Sequence, residues 1–494
     1  MSQTATQEAT IRFLLNDEVV SVDDVEPTTS VLQLLRERLR CTGTKEGCAE
    51  GDCGACTVVL GELDGGRLQT RTVNACIQFV PTLNGKALYT VEYLRQADGK
   101  LHPVQQAMVD CHGSQCGFCT PGFVMSLWGQ YIEHQGQETR PDRAELGNAL
   151  TGNLCRCTGY RPILDAGEQM FDLPAVPFDR QSAAAKLETL QRAESLVYRY
   201  QGVTFYAPRT LAELTRLRAE LPQATILAGC TDIGLWVNKQ FRDLGDILYV
   251  GEVAELKTLR EQDGALRIGA GATLTEAYEA LVRHYPEVRE MWERFASVPI
   301  RNAGTLGGNV ANGSPIGDSM PWLIVVGARV VLRNAERART ISLEDLYVDY
   351  MKKSMRADEI VEAVEVPLPR PEQRFRTYKL SKRYDSDISA VCAAFALRLD
   401  GEQIVESRVA YGGMAATPKR APRCEAALTG RLWTEATAHA AMAALDSDYA
   451  PLTDMRASAE YRAQTARNLL YRFYLETRQH NPLPAQSLSV FAQA

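Results

Sequence analysis

Eight of the chain's 13 cysteines fall into two groups of four whose spacing suits metal coordination. In the first group, three cysteines form the pattern C-x4-C-x2-C, and a fourth cysteine lies downstream. This spacing is typical of a 2Fe-2S cluster, because two irons bridged by two sulfides need four thiolates on a short loop. A zinc site and buried structural cysteines are the alternatives. We call this group the first quartet: Cys48, Cys53, Cys56 and Cys76.

The first quartet lies mostly in the glycine-rich stretch GCAEGDCGACT, residues 47–57. Because Gly47, Gly51 and Gly54 lack a Cβ, they tolerate positive φ and let backbone N–H groups approach the sulfurs. Such N–H groups stabilise negative charge and raise the reduction potential of a cluster. The sequence therefore predicts a loop that wraps closely around its metal centre.

The second group lies in the stretches QCGFCTPGF and GNLCRCTGYRP. Two cysteines separated by one residue cannot share a helix face, so CRC is predicted to form a turn. The pair CGFC directly precedes a helix that is predicted to start at Thr120-Pro121. The spacing alone allows either iron-sulfur or zinc binding. We call this group the second quartet: Cys116, Cys119, Cys155 and Cys157.

The remaining cysteines and the histidines are dispersed and form no metal or catalytic motif of their own. The cysteines are interpreted as small core residues: Cys41, Cys111, Cys230, Cys392 and Cys424. The histidines are interpreted as ordinary polar or core residues, outside any HExxH motif: His102, His112, His134, His284, His439 and His480. No nucleophile elbow or kinase-like phosphate loop is found either. We therefore predict no catalytic residue on this chain.

Composition narrows the class of protein. Hydrophobic residues make up 45% and charged residues 23% of 494 residues, which is typical of a globular protein with three or four domains. The net charge of −7 argues against nucleic-acid binding. The N-terminal MSQTATQEAT does not resemble a signal peptide, and the apolar run WLIVVGARVVL is interrupted by Arg329. We expect a cytoplasmic protein without a membrane span, in which closely spaced thiols bind metal rather than form disulfides.

Local patterns predict the elements around the two quartets. IRFLLNDEVVSV reads as a hairpin that turns at Asn16-Asp17, and Ser30 caps a helix in SVLQLLRERLR, which together favour a small β-grasp domain. Prolines at 103, 141 and 162 indicate helix starts, so the region from 93 to about 172 is predicted to be a helical bundle. One predicted helix face consists of Val124, Leu127, Trp128 and Tyr131.

The second half of the chain contains two glycine-rich stretches but no GxGxxG fingerprint. They are TILAGCTDIG at 225–234 and RNAGTLGGNVANGSPIGDSMP at 301–321. The first reads as a short apolar strand that runs into a turn, and the second, with five glycines, can present backbone N–H donors to a pyrophosphate without obstruction by side chains. A set of ordinary turns is the alternative for each. Before them, the polar, alanine-rich DRQSAAAKLETLQRAE is interpreted as a linker across the surface rather than a core element.

The stretches EGCAEGDCGACTV, SQCGFCTPGF and TGNLCRCTGYRPI resemble, in the same order, motifs of the molybdenum hydroxylase family, which includes the xanthine dehydrogenases. The resemblance implies that all eight quartet cysteines bind two 2Fe-2S clusters and that Gln115 contacts a molybdopterin, where a surface amide is the alternative. It implies a multidomain α+β fold with these parts: a β-grasp plant-type 2Fe-2S ferredoxin domain (1–92), a helical-bundle 2Fe-2S domain (93–172), a linker (173–197), a vanillyl-alcohol-oxidase-type (PCMH-type) FAD-binding domain (198–372) and an α+β CO dehydrogenase flavoprotein-like C-terminal domain (373–494).

The same resemblance implies that both glycine-rich stretches line FAD, and they are called here the first flavin segment (225–234) and the second flavin segment (301–321). Phe295 falls where the family places an aromatic residue against the isoalloxazine ring, with core packing as the alternative. Lys379 and the run KRYDSDI match a family segment close to the flavin, with solvated charge as the alternative. The implied FAD contacts in the two segments are Leu227, Ala228, Gly229, Cys230, Thr231, Asp232, Thr305, Gly308, Asn309 and Asp318.

The implied function is electron transfer. Because the family's molybdenum half follows the flavin half and this chain ends first, we expect a separate molybdopterin-binding large subunit that hydroxylates xanthine or hypoxanthine, in a heterotetramer with two copies of each chain. Electrons then pass through the two clusters to FAD and on to NAD+. The C-terminal domain is expected to cover the flavin domain and meet a partner.

Aldehydes or another N-heterocycle are alternative substrates. Carbon monoxide dehydrogenases fit less well, because they keep the flavin and iron-sulfur parts on separate chains, and a zinc-stapled interaction scaffold is an alternative of another class.

Overall fold

The computed structural model describes residues 10–384, 386 and 388–488. The chain divides into two compact units, each built from several segments. The first unit comprises Met1–Ala254, Thr273–Thr275 and Ser297–Gly304. The second unit comprises Glu255–Ala272, Glu276–Ala296 and Thr305–Ala494.

The elements of both units are numbered here in chain order. The strands are β1 Ile11–Leu15, β2 Glu18–Val22, β3 Thr57–Asp64, β4 Arg67–Asn74, β5 Ala87–Tyr89, β6 Leu196–Tyr200, β7 Val203–Ala207, β8 Thr225–Leu227, β9 Ile247–Tyr249, β10 Leu259–Gln262, β11 Ala265–Gly269, β12 Arg329–Arg333, β13 Ala338–Ser342, β14 Tyr347–Asp349, β15 Lys352–Lys353, β16 Ile360–Pro367, β17 Gln373–Leu380, β18 Val391–Asp400, β19 Gln403–Gly412 and β20 Lys419–Arg420. The helices are α1 Val31–Gln33, α2 Pro103–Asp110, α3 Thr120–Glu133, α4 Arg143–Ala149, α5 Arg161–Gln169, α6 Arg180–Glu188, α7 Leu211–Glu220, α8 Ile233–Asn238, α9 Leu274–His284, α10 Arg289–Glu293, α11 Val298–Ala303, α12 Leu306–Asn312, α13 Ser319–Val325, α14 Pro422–Leu428, α15 Glu435–Ala444 and α16 Ala459–Thr477.

The first sheet of the first unit has the strand order β2-β1-β5-β3-β4 and carries the first quartet on its connections. The predicted hairpin is confirmed, since β1 and β2 pair antiparallel and Asn16 and Asp17 have φ of 51° and 71°. Ser30 caps α1 as predicted, but α1 ends at Gln33 and continues as a π-helix over Leu34–Arg38. The mixed order with one crossing helix is the expected β-grasp arrangement.

The helical part of the first unit follows the apolar periodicity of the sequence. α2, α3 and α5 begin at or next to the predicted prolines, and α4 begins after Asp142, whose carboxylate caps it. The predicted face of α3 is buried, because all four of its side chains join one core: Val124, Leu127, Trp128 and Tyr131. A second, smaller sheet of this unit has the order β6-β7-β9-β8.

The interpretation of the alanine-rich stretch as a surface connection is wrong over residues 180–188. These residues form α6, and the Asp179 carboxylate caps it by accepting a hydrogen bond from the backbone N–H of Ser182. Ala183, Ala184 and Leu187 are buried in the same core as α3. Sequence reasoning missed this helix because its apolar face consists mainly of alanines, which give a weak periodic signal.

The second unit contains two larger sheets and a helical layer. One sheet has the order β10-β11-β16-β12-β13, and the other is the antiparallel β17-β18-β19-β20. The second sheet shares a core with α14, α15 and α16. In the part of the chain that the structure describes, no helix is both long and apolar enough to cross a bilayer.

Candidate iron-sulfur and flavin sites

The structure brings the four thiols of the first quartet together. The Cys48 thiol forms hydrogen bonds with the thiols of Cys53 and Cys76, and these lower the pKa of Cys48. Cys76 also bonds the thiol of Cys56, and its own pKa is raised by these thiol contacts together with burial. Cys56 and Cys76 are each only 2% exposed. The four sulfurs therefore lie together in a ring, in which Cys56 and Cys76 are shielded from water and Cys48 and Cys53 are partly exposed.

The loop around this ring behaves as its glycines predict. The backbone N–H groups of Glu50 and Cys53 donate to the Cys48 sulfur at 3.4 Å, which confirms the expected approach of amides to sulfur. Gly51 and Gly54 adopt φ of 82° and 68°. A Cβ at Gly47 would lie 2.8 Å from the Cys53 sulfur, so this position has no room for a side chain.

The second quartet is also assembled but is more open. The thiol of Cys119 bonds that of Cys155, and the thiol of Cys157 bonds that of Cys116. Burial opposes ionisation of Cys155, yet hydrogen bonds from Thr158 lower the pKa of Cys155. Cys116 and Cys157 are exposed. One edge of this quartet therefore faces outward.

Both sets of thiols are consistent with the ligand set of a two-iron cluster, because their members lie close to one another in pairs. A tetrahedral zinc site needs four donors around one point, whereas in a 2Fe-2S cluster each iron takes only two thiolates and shares two sulfides. Rings of thiols joined in pairs are consistent with the second arrangement. The cysteines would then supply all protein ligands to both clusters.

Direct backbone contacts join the two quartets within the first unit. The N–H of Leu154, next to Cys155, donates to the carbonyl of Cys53 at 3.0 Å. The side-chain amide of Asn153 donates to the carbonyl of Gly54 at 3.2 Å, and its oxygen accepts a hydrogen bond of 2.7 Å from the Ser126 hydroxyl. The loops that carry the two quartets are therefore adjacent. Sequence reasoning missed Asn153, since a single amide beside a cysteine turn gives no signal of a partner 99 residues away.

This contact makes Gly54 sensitive to substitution. In Gly54→Ala, the new Cβ would lie 2.2 Å from the carbonyl oxygen of Gly152. The alanine would also have to adopt the positive φ of Gly54, which is 68°. We expect a loss of about 3 kcal/mol in the free energy of unfolding. Gly66→Ala is the matched control, because Gly66 has φ of 78° but no atom within 4 Å of its Cβ, so it should cost only about 1 kcal/mol. Urea unfolding of both variants measures the difference, and equal losses would contradict the contact.

The first flavin segment consists of β8, a turn and the start of α8. Leu227 and Cys230 are buried, and Cys230 is held at φ of 62°. A Cβ at Gly229 would lie 1.9 Å from the carbonyl oxygen of Ala303, so this glycine is required by close backbone packing. The Gln78 amide donates to the Gly229 carbonyl at 3.0 Å. The segment is therefore fixed by its neighbours in the first unit, with Ala228, Thr231 and Asp232 partly accessible.

The second flavin segment continues into the second unit. Thr305 caps α12 by accepting a hydrogen bond from the N–H of Gly308 at 3.0 Å. The side-chain oxygen of Asn309 is buried and has no hydrogen-bond partner, which is how a polar contact for a bound ligand appears in a structure without that ligand. The Asp318 carboxylate is paired with the Lys379 ammonium at 2.5 Å, and neither side chain has exposed surface. The donor set is consistent with FAD, and the individual FAD contacts stay predictions.

The other predicted site residues are in different environments. Phe295 is 7% exposed, and its ring centroid lies 6.0 Å from that of Tyr278, so it packs in an aromatic cluster. Gln115 is exposed beside Cys116. In the run KRYDSDI, Asp385 and Asp387 lie outside the described residues.

Four family models match the chain in succession. They are described as 2Fe-2S iron-sulfur cluster binding domain, residues 13–80, [2Fe-2S] binding domain, residues 90–168, FAD binding domain in molybdopterin dehydrogenase, residues 199–369, and CO dehydrogenase flavoprotein C-terminal domain, residues 376–477. The expected multidomain fold is thereby confirmed. The chain carries two 2Fe-2S domains and an FAD-binding domain.

Known proteins of similar sequence and structure agree with this. The chain is 34% identical over 472 residues to a xanthine dehydrogenase of Drosophila subobscura, covering 83% of this chain and 35% of the relative. It is 30% identical over 531 residues to aldehyde oxidase 2 of Cavia porcellus, covering 94% of this chain and 40% of the relative. The chain thus spans well under half the length of these curated relatives.

Among solved structures, the chain resembles a carbon monoxide dehydrogenase from Hydrogenophaga pseudoflava, with a TM-score of 0.52 and 25% identity, covering 54% of this chain and 94% of the other. It also resembles quinoline 2-oxidoreductase from Pseudomonas putida 86, with a TM-score of 0.51 and 25% identity, covering 56% and 96%. Together with the four family models and the sequence relatives, these matches show that the chain belongs to the molybdenum hydroxylase family, of which it carries the iron-sulfur and flavin domains.

Proposed function

We propose that this chain is the electron-transfer subunit of a xanthine dehydrogenase. A molybdopterin-binding partner subunit hydroxylates xanthine or hypoxanthine, and the electrons pass through the two 2Fe-2S clusters to FAD and then to NAD+. The observation that supports the proposal is the hydrogen bond from the N–H of Leu154 to the Cys53 carbonyl, because it joins the loops that carry the two quartets. The xanthine dehydrogenases among the similar proteins support the choice of substrate.

The roles of the chain's own residues follow from their environments. The eight quartet cysteines hold the clusters, which supply one-electron carriers when bound, while FAD accepts electrons singly and releases them in pairs. The N–H groups of Glu50 and Cys53 stabilise negative charge on the Cys48 sulfur. Gln115 and the residues carried over for the two flavin segments, with Phe295 and Lys379, are assigned to molybdopterin and FAD respectively.

The difference in exposure between the quartets supports an assignment of the face through which electrons enter the chain. No cysteine of the first quartet is fully exposed, whereas Cys116 and Cys157 of the second quartet are exposed, near Phe118, which is 48% exposed, and Tyr160, which is 39% exposed. Exposed aromatic side chains around a redox centre are typical of a surface that another protein covers. We assign this face to the molybdopterin subunit, in a heterotetramer with two copies of each chain.

The test uses the purified chain and the complex. The chain should be reddish brown, bleach with dithionite, release FAD on denaturation and oxidise NADH with an artificial acceptor, but leave xanthine untouched. The copurified complex should reduce NAD+ with xanthine. A colourless chain with two zinc ions and no iron would overturn the proposal in favour of a zinc-stapled scaffold.

A second candidate function is the same role in an aldehyde-oxidising enzyme, which the resemblance to aldehyde oxidase 2 of Cavia porcellus favours. Both functions share the clusters and the flavin, so only the complex distinguishes them. Oxidation of an aldehyde such as benzaldehyde, with no activity toward xanthine, would replace xanthine dehydrogenase by this alternative.

A further inference from the structure

A single amide in the first unit connects the loop of the first quartet to the end of the first flavin segment. Asn238 is the last residue of α8, which begins directly after Asp232 of that segment. Its Nδ2 atom donates to the carbonyl of Cys76 at 2.8 Å and to the carbonyl of Ala49 at 3.0 Å. Both N–H bonds of the side-chain amide are thus used on the quartet loop.

The two carbonyls belong to parts of the loop that are distant in sequence. Ala49 follows Cys48 and has φ of 55°, a left-handed conformation that costs free energy for a residue with a Cβ. Cys76 is the downstream member of the quartet. Asn238 therefore ties the two ends of the quartet together and helps to hold Ala49 in its unfavourable conformation.

The segment after Cys76 is held by other contacts of the same region. A Cβ at Gly234, on the first turn of α8, would lie 2.9 Å from the Ile77 carbonyl, so α8 packs directly on this segment. Gln78 donates to the Gly229 carbonyl at 3.0 Å. Asn238 therefore holds Cys76, and the Gly229 carbonyl holds Gln78, two residues further along. Gly229 lies in the first flavin segment, and Asn238 lies at the end of α8.

We propose that Asn238 is a positioning residue that fixes the first-quartet loop against the first flavin segment and raises the reduction potential of the cluster there. This inference rests on the proposed function. Carbonyl oxygens beside a cluster oppose the added negative charge of reduction, and the N–H groups of Asn238 offset the two carbonyl dipoles. Removing these donors leaves the negative ends of both dipoles uncompensated, so the cluster becomes harder to reduce.

A nearby ion pair does not explain the same effect. The Lys239 ammonium lies 3.9 Å from the Glu50 carboxylate, and each side chain is 43% exposed. Water and salt screen a pair of this kind, so its influence on the potential should be small and should fade at high ionic strength. The bonds of Asn238 are partly buried and uncharged, so their effect should persist in salt.

The test is a redox titration of the holo chain followed by EPR, for Asn238→Leu and Asn238→Asp. Leucine removes the donors at similar volume, and aspartate places carboxylate oxygens against the carbonyls. In Asn238→Leu, we expect the equilibrium constant for one-electron reduction of the first cluster to fall about threefold, which is roughly 28 mV for one electron. Asn238→Asp should shift it further in the same direction. Gln240→Leu, an exposed amide change two residues along, is the matched control and should leave it unchanged.

The second cluster provides an internal reference in every sample, since its potential should not move. Loss of the first-cluster signal alone from both Asn238 variants would support the positioning role in a stronger form. Unchanged potentials in variants with full iron content would overturn the role of Asn238 while leaving the proposed function intact. A wild-type chain without iron would instead overturn the proposed function, and this inference with it.

Discussion

Replacing Cys155 by serine is expected to remove one of two distinct paramagnetic signals from the dithionite-reduced chain and to halve its iron content. The Cys155 sulfur accepts a hydrogen bond from Thr158 at 3.3 Å and bonds the Cys119 thiol, so it is part of the ring that would hold the second cluster. A serine hydroxyl is a poor substitute for a thiolate at iron, because its proton is far harder to remove near neutral pH. The signal of the first cluster should remain, because its four thiols lie in a separate ring.

The matched control is Cys111→Ser in the same helical domain. Cys111 lies outside both quartets, and its sulfur bonds the side-chain oxygen of Gln169 at 2.7 Å, which a serine hydroxyl can also do. Both signals should survive in this variant. Retention of both signals in Cys155→Ser, or loss of one in Cys111→Ser, would contradict the assignment of the second quartet.

The features that could be predicted from the sequence are those encoded over short distances. The spacing of the quartets, the turn at Asn16-Asp17 and the apolar face of α3 each depend on residues close in the chain, and the structure contains all of them. The glycines of the quartet loop also follow this rule, because their positive φ is a local backbone property. Such patterns are readable because one residue type at one spacing has few physical explanations.

The features that escaped prediction connect distant parts of the chain. Asn153 and Asn238 each bond a carbonyl of the first-quartet loop, across 99 and 189 residues respectively. An isolated asparagine has no periodicity and suits a turn or a helix end equally well, so its sequence context does not reveal its partner. Gly229 of the first flavin segment is a similar case. Its lack of a side chain is required by close packing against the Ala303 carbonyl, 74 residues away in the chain, and the sequence around Gly229 gives no sign of that contact.

Replacing Lys379 by methionine is expected to lower the free energy of unfolding by about 3–5 kcal/mol. The Lys379 ammonium lies 2.5 Å from the Asp318 carboxylate and 2.9 Å from the Ser389 hydroxyl, and both charged side chains are fully enclosed in the second unit. Methionine fills a similar volume but leaves a carboxylate buried without this cation. The cost is the desolvation of that charge, which the Ser389 hydroxyl offsets only in part through its bond to Asp318 at 2.6 Å. Urea unfolding of the variant measures the loss.

Two further variants separate the buried charge from other effects of the substitution. Asp318→Asn combined with Lys379→Met should restore most of the loss, because no net charge is then buried at this pair. Lys382→Met changes an exposed lysine on the same segment and should stay within about 0.5 kcal/mol of the wild type. A double variant no more stable than Lys379→Met would contradict the electrostatic argument.

FAD content measured in the same samples tests the predicted flavin role of Asp318 and Lys379 independently of stability. If the pair is purely structural, the stable double variant should retain its FAD. If the two side chains contact the flavin, the double variant should lose FAD although it is folded.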